Sequence, residues 1–477
     1  MLFNSIPFAI FLPLVFAVYW LLGPRRRQLQ NILLIIASYI FYGWWDWRFL
    51  LLIAASSLVD FLIGLGLGKT EEQSRRKTLL VCSLVFNLGI LGFFKYFNFF
   101  VDSFALLVTS LGLQANMPAL RIILPVGISF YTFQTLSYSI DVYRRQIPTV
   151  KDPIAFFAFV SFFPQLVAGP IERAKALLPQ FQKDRSFDPD KARSGLRQIL
   201  WGFFKKMVVA DTLAPHVESI FANTPQQDGL TYLIGTFFFA LQVYGDFSGY
   251  SDIAIGTARL FGFNLMQNFA FPYYSRDIGE FWRRWHISLS TWFRDYLFIP
   301  LGGSRCTKQR RALNILITFT VSGFWHGADW SLVFWGALHG LYYMPLMLRD
   351  RPSPFPETPA EGKLLPGPRE FLAMVGTFGL MLFSFIFFRG ESMTHAFQIL
   401  GQIIFHPFRG LDYSPYYEPI LIAFVPLIWE WGHRTKQFGL DVPEYPAPVR
   451  WALYVLVIAG ILVFGKFGAQ EFIYFQF

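Results

Sequence analysis

The run Val321-Ser322-Gly323-Phe324-Trp325-His326-Gly327-Ala328-Asp329-Trp330 holds one imidazole between two glycines inside an otherwise apolar stretch. Apolar surroundings disfavour an imidazolium, so a histidine placed there is neutral and carries the lone pair that a general base needs. Gly323 and Gly327 permit a close backbone approach or a helix break, either of which opens space beside the ring. A plain alternative is a core histidine satisfied by a neighbouring carbonyl or by Asp329, and the spacing fits both.

A second imidazole, His286, lies in the segment Arg276–Leu297. Phe281, Trp282, Trp285, Leu289, Trp292, Phe293 and Tyr296 recur at helical spacing, and Arg283, Arg284 and Arg294 fall off that stripe, which predicts an amphipathic helix lying in the membrane interface. His286 sits at the edge of the apolar side, four residues from Trp282 and three from Leu289, so it is expected to point into the protein. Read alone, it is an interfacial histidine without a chemical role. A third cluster, Gln242 to Asp252, places Asp246, Ser248 and Asp252 in apolar sequence. Gly245 and Gly249 are one turn apart, as are Ser248, Asp252 and Gly256, a spacing that suits close helix packing with polar groups satisfied across the contact. The aspartates can alternatively hold a histidine in its working tautomer. His339 lies about 220° round a continuous helix from His326, so a hydrogen bond between helices is expected of it and a shared site is not. His216, His395, His406 and His433 receive no role. The chain has no Walker loop, nucleophile elbow or H-E-x-x-H motif.

The elements that must position these residues are membrane helices. The chain is 54% hydrophobic and 15% charged, against roughly a quarter charged in an ordinary soluble domain, and apolar runs recur from end to end. Its 477 residues read as one integral membrane domain, 1–477, all-α and polytopic, with about 11–13 membrane helices besides re-entrant or interfacial ones. Two apolar runs, Leu230–Phe263 and Leu313–Leu348, exceed a single crossing and are interrupted by polar residues and glycine, so each is expected to be two pieces joined inside the protein. The net charge of +10 is scattered through short loops, which argues for topology and against nucleic acid. Arg25 to Arg27 and Arg75 to Lys77 place their loops in the cytoplasm and the N-terminus outside. Met1–Leu22 lacks a basic leader and is expected to remain as a span. The Pro-rich stretch Arg351–Arg369 is expected to be an exposed linker. Two cysteines, Cys82 and Cys306, form neither a disulfide framework nor a metal cluster, so no metal site is expected.

The sequence resembles the membrane-bound O-acyltransferase family, in the branch that modifies alginate and teichoic acids. The resemblance runs through Met1-Leu2-Phe3-Asn4-Ser5, Leu124 to Gln134, Phe163 to Ile171, Asp246 to Asp252, Phe281 to Ser290, Gly323 to Gly327 and the ending Phe472 to Phe477. It implies that His326 is the catalytic histidine and His286 a second active-site histidine, with Asp246, Ser248, Asp252, Trp285, Trp325 and Asp329 as tunnel or supporting residues. It further implies many helices around a central through-membrane tunnel, with no bound cofactor. The donor is then a cytoplasmic thioester, acetyl-CoA or an acylated carrier protein, and the acceptor a hydroxyl on the far side. The implied partners are membrane lipid, a polysaccharide acceptor and a secreted or membrane-anchored acetyltransferase that completes polymer modification. The setting is the bacterial inner membrane, crossed many times. D-alanyl transfer to a cell-wall polymer, a polytopic transporter and an export-complex scaffold are the rival readings, and the paired histidines weigh against the scaffold.

Overall fold

The computed structural model describes residues 1–113, 122–167, 169–222, 226–348, 355–409, 412–467 and 472–473. Ala168, residues 351–354 of the Pro-rich stretch and residues 474–477 of the ending lie outside the described residues. Among the described residues all regular structure is helical. The stretches Arg27–Lys69, Gln73–Ser110, Pro368–Arg389 and Ala447–Phe464 are long and apolar enough to cross a membrane, and Ile6–Leu21 is a shorter apolar helix. The protein is therefore an all-α polytopic membrane protein, as composition predicts.

Two compact units divide the chain: Met1–Ala192 with Ala258–Leu265, and Arg193–Thr257 with Met266–Phe477. The first unit is a set of apolar helices in which a buried carboxylate is matched by donors from neighbouring helices. Asp60, fully buried on helix Leu50–Lys69, accepts hydrogen bonds from Ser83 Oγ at 2.5 Å, Ser139 Oγ at 2.6 Å and Asn87 Nδ2 at 2.7 Å. Those donors come from helices Gln73–Leu91 and Ile128–Tyr143, so one carboxylate ties three helices together. An unpaired buried carboxylate is too costly to persist in apolar surroundings, which is why three donors converge on it.

The second unit carries every candidate site residue. Its longest helix, Gly229–Leu260, runs unbroken through the Asp246 to Asp252 cluster, contrary to the expected two-piece segment. The glycines there serve approach, not breakage. A Cβ on Gly249 would stand 2.8 Å from the Gly202 carbonyl oxygen, and one on Gly202 would stand 2.6 Å from the Gly249 oxygen, so the two backbones meet where neither residue has a side chain. The second long apolar run does divide as expected. Helix Lys308–His326 ends at His326, Gly327 is extended at φ −167°, and helix Trp330–Leu348 follows. These two helices form a tight hairpin: a Cβ on Gly323 would lie 2.2 Å from the Leu332 oxygen, and one on Gly336 would lie 2.3 Å from the Phe319 oxygen.

The amphipathic helix expected over Arg276–Leu297 is two short helices, Ile278–Arg284 and Ile287–Phe293, followed by a π-helical turn at Arg294–Phe298. The break falls at Trp285 and His286, where His286 adopts φ +41° in the left-handed region. Side-chain periodicity survives such a kink, so the stripe of aromatics does not reveal it. The Pro-rich stretch is not a free linker in its described part. Arg276 donates to the carbonyl oxygens of Pro356 at 2.6 Å and Thr358 at 3.4 Å, and Arg434 donates to Pro359, Ala360 and Lys363, which buries Ala360 while leaving Glu361 to Leu365 exposed.

Candidate functional site

His326 is the last residue of helix Lys308–His326 and is only 3% exposed. The Gly323–Gly336 contact sets its position by clamping the hairpin one turn before it. Trp325, its neighbour, packs its ring 6.1 Å from the His286 imidazole, and the His326 ring lies 5.0 Å from the same indole, so both histidines share Trp325. Asp329 does not serve the imidazole as a carboxylate partner in the manner weighed from sequence; it accepts from Ser331 N–H at 2.7 Å and caps the return helix. Trp285 stacks on Phe281 with ring centroids 5.5 Å apart and meets Phe269 edge-on at 5.1 Å, forming the aromatic wall behind His286.

His339 is closer to His326 than a continuous helix allows. The break at Gly327 folds the chain back, and Trp335 bridges the two histidines, with ring centroids 5.1 Å from His326 and 4.7 Å from His339. His339 also makes the interhelical hydrogen bond expected of it, to Ser384 Oγ at 3.1 Å on helix Pro368–Arg389. Around this group the indole nitrogens of Trp282 and Trp335 and Nδ1 of His339 are buried without a hydrogen-bond partner among the described residues. Each such atom costs about 1–3 kcal/mol if left unsatisfied.

His286 is fully buried. Burial pushes its imidazole well below the ordinary histidine value, so the ring is neutral. Its Nδ1 lies 3.2 Å from Asn268 Oδ1, and Phe247 of the Gly229–Leu260 helix meets the ring edge-on at 4.6 Å.

Asp246, Ser248 and Asp252 face two lysines that carry no motif signal. Lys205 Nζ is 2.7 Å from Asp252 Oδ2 and donates to Ser248 Oγ at 2.8 Å, while Gln198 Nε2 donates to Asp252 Oδ1 at 2.7 Å. Lys206 Nζ lies 2.8 Å from both Asp246 Oδ1 and Asp211 Oδ1. Both lysines sit in the π-helical turn Phe204–Ala210, whose wider winding presents consecutive side chains to one neighbouring helix. The signal available in sequence was the Lys-Lys pair inside the apolar run from Leu200 to Val209, since an intramembrane cation demands a carboxylate. The cluster therefore does what close packing required of it: it satisfies polar groups across a helix contact.

A cavity of about 840 Å³ opens beside the hairpin. Arg283, Arg284 and Arg294 line it together with Trp282, Phe319 and the Pro-rich stretch from Phe355 to Thr358. Ser322, one turn before His326, and Ile287, next to His286, also face it. Its walls mix apolar and polar side chains: Glu280 and Glu357 line it beside the arginines, Arg284 pairs with Glu280 at 3.0 Å and Arg294 with Asp295 at 2.7 Å. Among the described residues no group of three His, Cys, Asp or Glu side chains is arranged to hold a metal ion.

The model of the membrane-bound O-acyltransferase family matches residues 32–386, about three quarters of the chain and a span that includes both histidines. The chain belongs to the membrane-bound O-acyltransferase family. It is 46% identical to the probable alginate O-acetylase of Pseudomonas aeruginosa over 72% of this chain and 65% of that protein, just under two thirds of the relative's length. The probable alginate O-acetylase of Pseudomonas fluorescens is 39% identical with both chains covered completely. The peptidoglycan O-acetyltransferase of Helicobacter pylori is 33% identical over 85% of this chain and 80% of its own. In this membrane-bound O-acyltransferase family member both histidines pack against one tryptophan, Trp325, and Ile287 and Ser322 carry the neighbouring chain to the cavity wall.

Proposed function

We propose that this protein is a multi-pass acetyltransferase of the bacterial inner membrane that moves an acetyl group from a cytoplasmic thioester to a hydroxyl, for O-acetylation of an exported, alginate-like polysaccharide. The observation that carries the reading is the buried His326 at a helix break, sharing Trp325 with His286 and adjoining a cavity lined by three arginines. The similarity to two probable alginate O-acetylases supports acetyl transfer and that class of polymer.

The chemistry follows from the groups available. The acceptor hydroxyl oxygen attacks the thioester carbonyl carbon while its proton passes to His326; the carbon–sulfur bond breaks, and the departing thiolate takes that proton back as thiol. A positioned base of this kind contributes roughly 10²–10⁴ in rate. Arg283, Arg284 and Arg294 suit the phosphates of a pantetheine thioester, whether coenzyme A or a carrier-protein arm, and the apolar wall keeps water from the acyl group. The acyl group then passes to a secreted or membrane-anchored partner that finishes polymer modification.

The test is transfer of labelled acetyl from acetyl-CoA, and separately from an acetylated carrier protein, in membranes containing this protein and its partner. Wild type is expected to transfer from one donor, and His326→Ala at matched abundance to lose the signal at least about a hundredfold. Equal transfer by both proteins would remove His326 from the mechanism, and no transfer by wild type from either donor would remove the acetyl-transfer reading.

A further inference from the structure

His286 admits three roles beside a thioester: to orient the acceptor, to polarise the thioester carbonyl, or to tune His326. Which of them is open depends on which ring nitrogen carries the proton, and Asn268 decides that. The Asn268 side chain is oriented by its neighbours. Its Oδ1 accepts from the Ser288 backbone N–H at 3.3 Å and from Ser288 Oγ at 2.8 Å, and its Nδ2 donates to Ser251 Oγ at 3.1 Å on helix Gly229–Leu260. A backbone N–H can only donate, so the atom it meets is the carbonyl oxygen and the amide is not reversed. The same oxygen lies 3.2 Å from His286 Nδ1. Ser288 Oγ also lies 3.4 Å from Nδ1, but its single hydrogen goes to Asn268 Oδ1 at 2.8 Å, the shorter contact. With that hydrogen spent, a bare Nδ1 would set lone pair against lone pair, and the contact is a hydrogen bond when Nδ1 carries the hydrogen.

Asn268 also fixes where the ring stands. Its backbone oxygen accepts from Ile287 N–H at 2.9 Å, so main chain and side chain together hold two of the N–H groups that the short helix Ile287–Phe293 leaves open at its start. That arrangement secures the left-handed turn at His286, which has no capping side chain of its own. Asn268 is fully buried, as is His286, so the pair is shielded from competition by water.

We propose that Asn268 is a positioning residue that locks His286 as the Nδ1–H tautomer and so makes its Nε2 a hydrogen-bond acceptor towards the reactants. A neutral ring in this state offers no hydrogen at Nε2. It cannot polarise the thioester carbonyl, and it receives an O–H or N–H instead. The assignment of Nε2 to the reacting groups rests on the reading of His286 as an active-site residue; the tautomer itself does not.

The experiment is ¹⁵N magnetic resonance of the full chain in lipid, labelled at its 7 histidines, with the His286 signals assigned by their loss in His286→Gln. Wild type is expected to show Nδ1 protonated and Nε2 bare. Asn268→Leu, which keeps the volume and removes the acceptor, should lose that pattern and lower kcat at least about tenfold with little change in the donor KM, whereas Asn268→Asp, which keeps an oxygen facing Nδ1, should retain Nδ1–H. A proton on Nε2 in wild type overturns the proposal, as does an Asn268→Leu protein that keeps both the Nδ1–H signal and its kcat within twofold. If Asn268→Leu fails to accumulate in the membrane, the wild-type and Asn268→Asp spectra still decide. A wild-type Nδ1–H signal in a protein that transfers no acetyl group would leave the Asn268 assignment standing and sink the functional reading alone.

Discussion

Lys206 is 1% exposed and holds two carboxylates, Asp211 and Asp246, at 2.8 Å each. The other Asp246 oxygen accepts from the Ile473 backbone N–H at 2.7 Å, so the ammonium anchors a point where three separate stretches of chain converge. Removing one member of a buried charge group leaves the rest uncompensated, which costs about 3–5 kcal/mol, while removing all the charges together is often close to neutral. Lys206→Met is therefore expected to lower the thermal unfolding midpoint in detergent sharply. Combining it with Asp211→Asn and Asp246→Asn should recover most of the loss. A triple variant no more stable than Lys206→Met would show that the lysine contributes packing, not charge compensation. At this scale the sequence was half legible. The aspartates announced themselves because carboxylates in an apolar run are conspicuous, but their partners lie some forty residues away, and pairing over that separation is written in the fold. Asn268 left no signal at all: its stretch, Gln267-Asn268-Phe269-Ala270, matches no pattern of spacing, and its importance comes from the left-handed turn it holds.

Among the elements, the hairpin of Lys308–His326 and Trp330–Leu348 was readable because Gly327 ends a helix and Gly323 permits contact. The interhelical hydrogen bond expected of His339 is present, while its separation from His326 is smaller than the angle on a continuous helix implies, because the run folds back at Gly327. The long helix Gly229–Leu260 failed in the other direction: glycine spacing that serves helix contact looks the same in sequence as glycine that breaks a helix. Two predictions belong here. Gly323→Ala places a Cβ 2.2 Å from the Leu332 oxygen and forces the hairpin apart, so it should abolish acetyl transfer while leaving His326 chemically intact; transfer within twofold of wild type at matched abundance would dissociate the crossing from the site. Arg276 joins Glu280 and Glu370 at 2.8 and 2.7 Å and holds the Pro-rich stretch against the cavity. Freeing that wall by Arg276→Ala should raise the donor KM several-fold more than it lowers kcat, because the loop lines the cavity and is remote from His326 in its contacts. Steady-state kinetics with the preferred donor measure the split.

Across the whole molecule, the solvent is legible more plainly than any site. Helix Ala447–Phe464 has no buried residue, and Trp451, Val455, Leu456, Leu462 and Val463 are each at least 60% exposed. In water such a face would be an aggregation surface; in a bilayer, lipid tails cover it at no cost. Leu456 stands near the middle of this helix, where an arginine costs about 2.5–3.5 kcal/mol in membrane insertion against a small gain for leucine. Leu456→Arg is expected to reduce the fraction of protein resistant to alkaline extraction of membranes by several-fold, and Leu456→Ile to leave it unchanged. Because the side chain touches no buried core, a soluble protein would tolerate either change, so equal extraction of Leu456→Arg and wild type would mean that this face meets protein or water instead of lipid. The two substitutions differ little in the contacts they disturb within the chain and greatly in the medium they demand, which makes the difference between them a direct reading of what surrounds the helix.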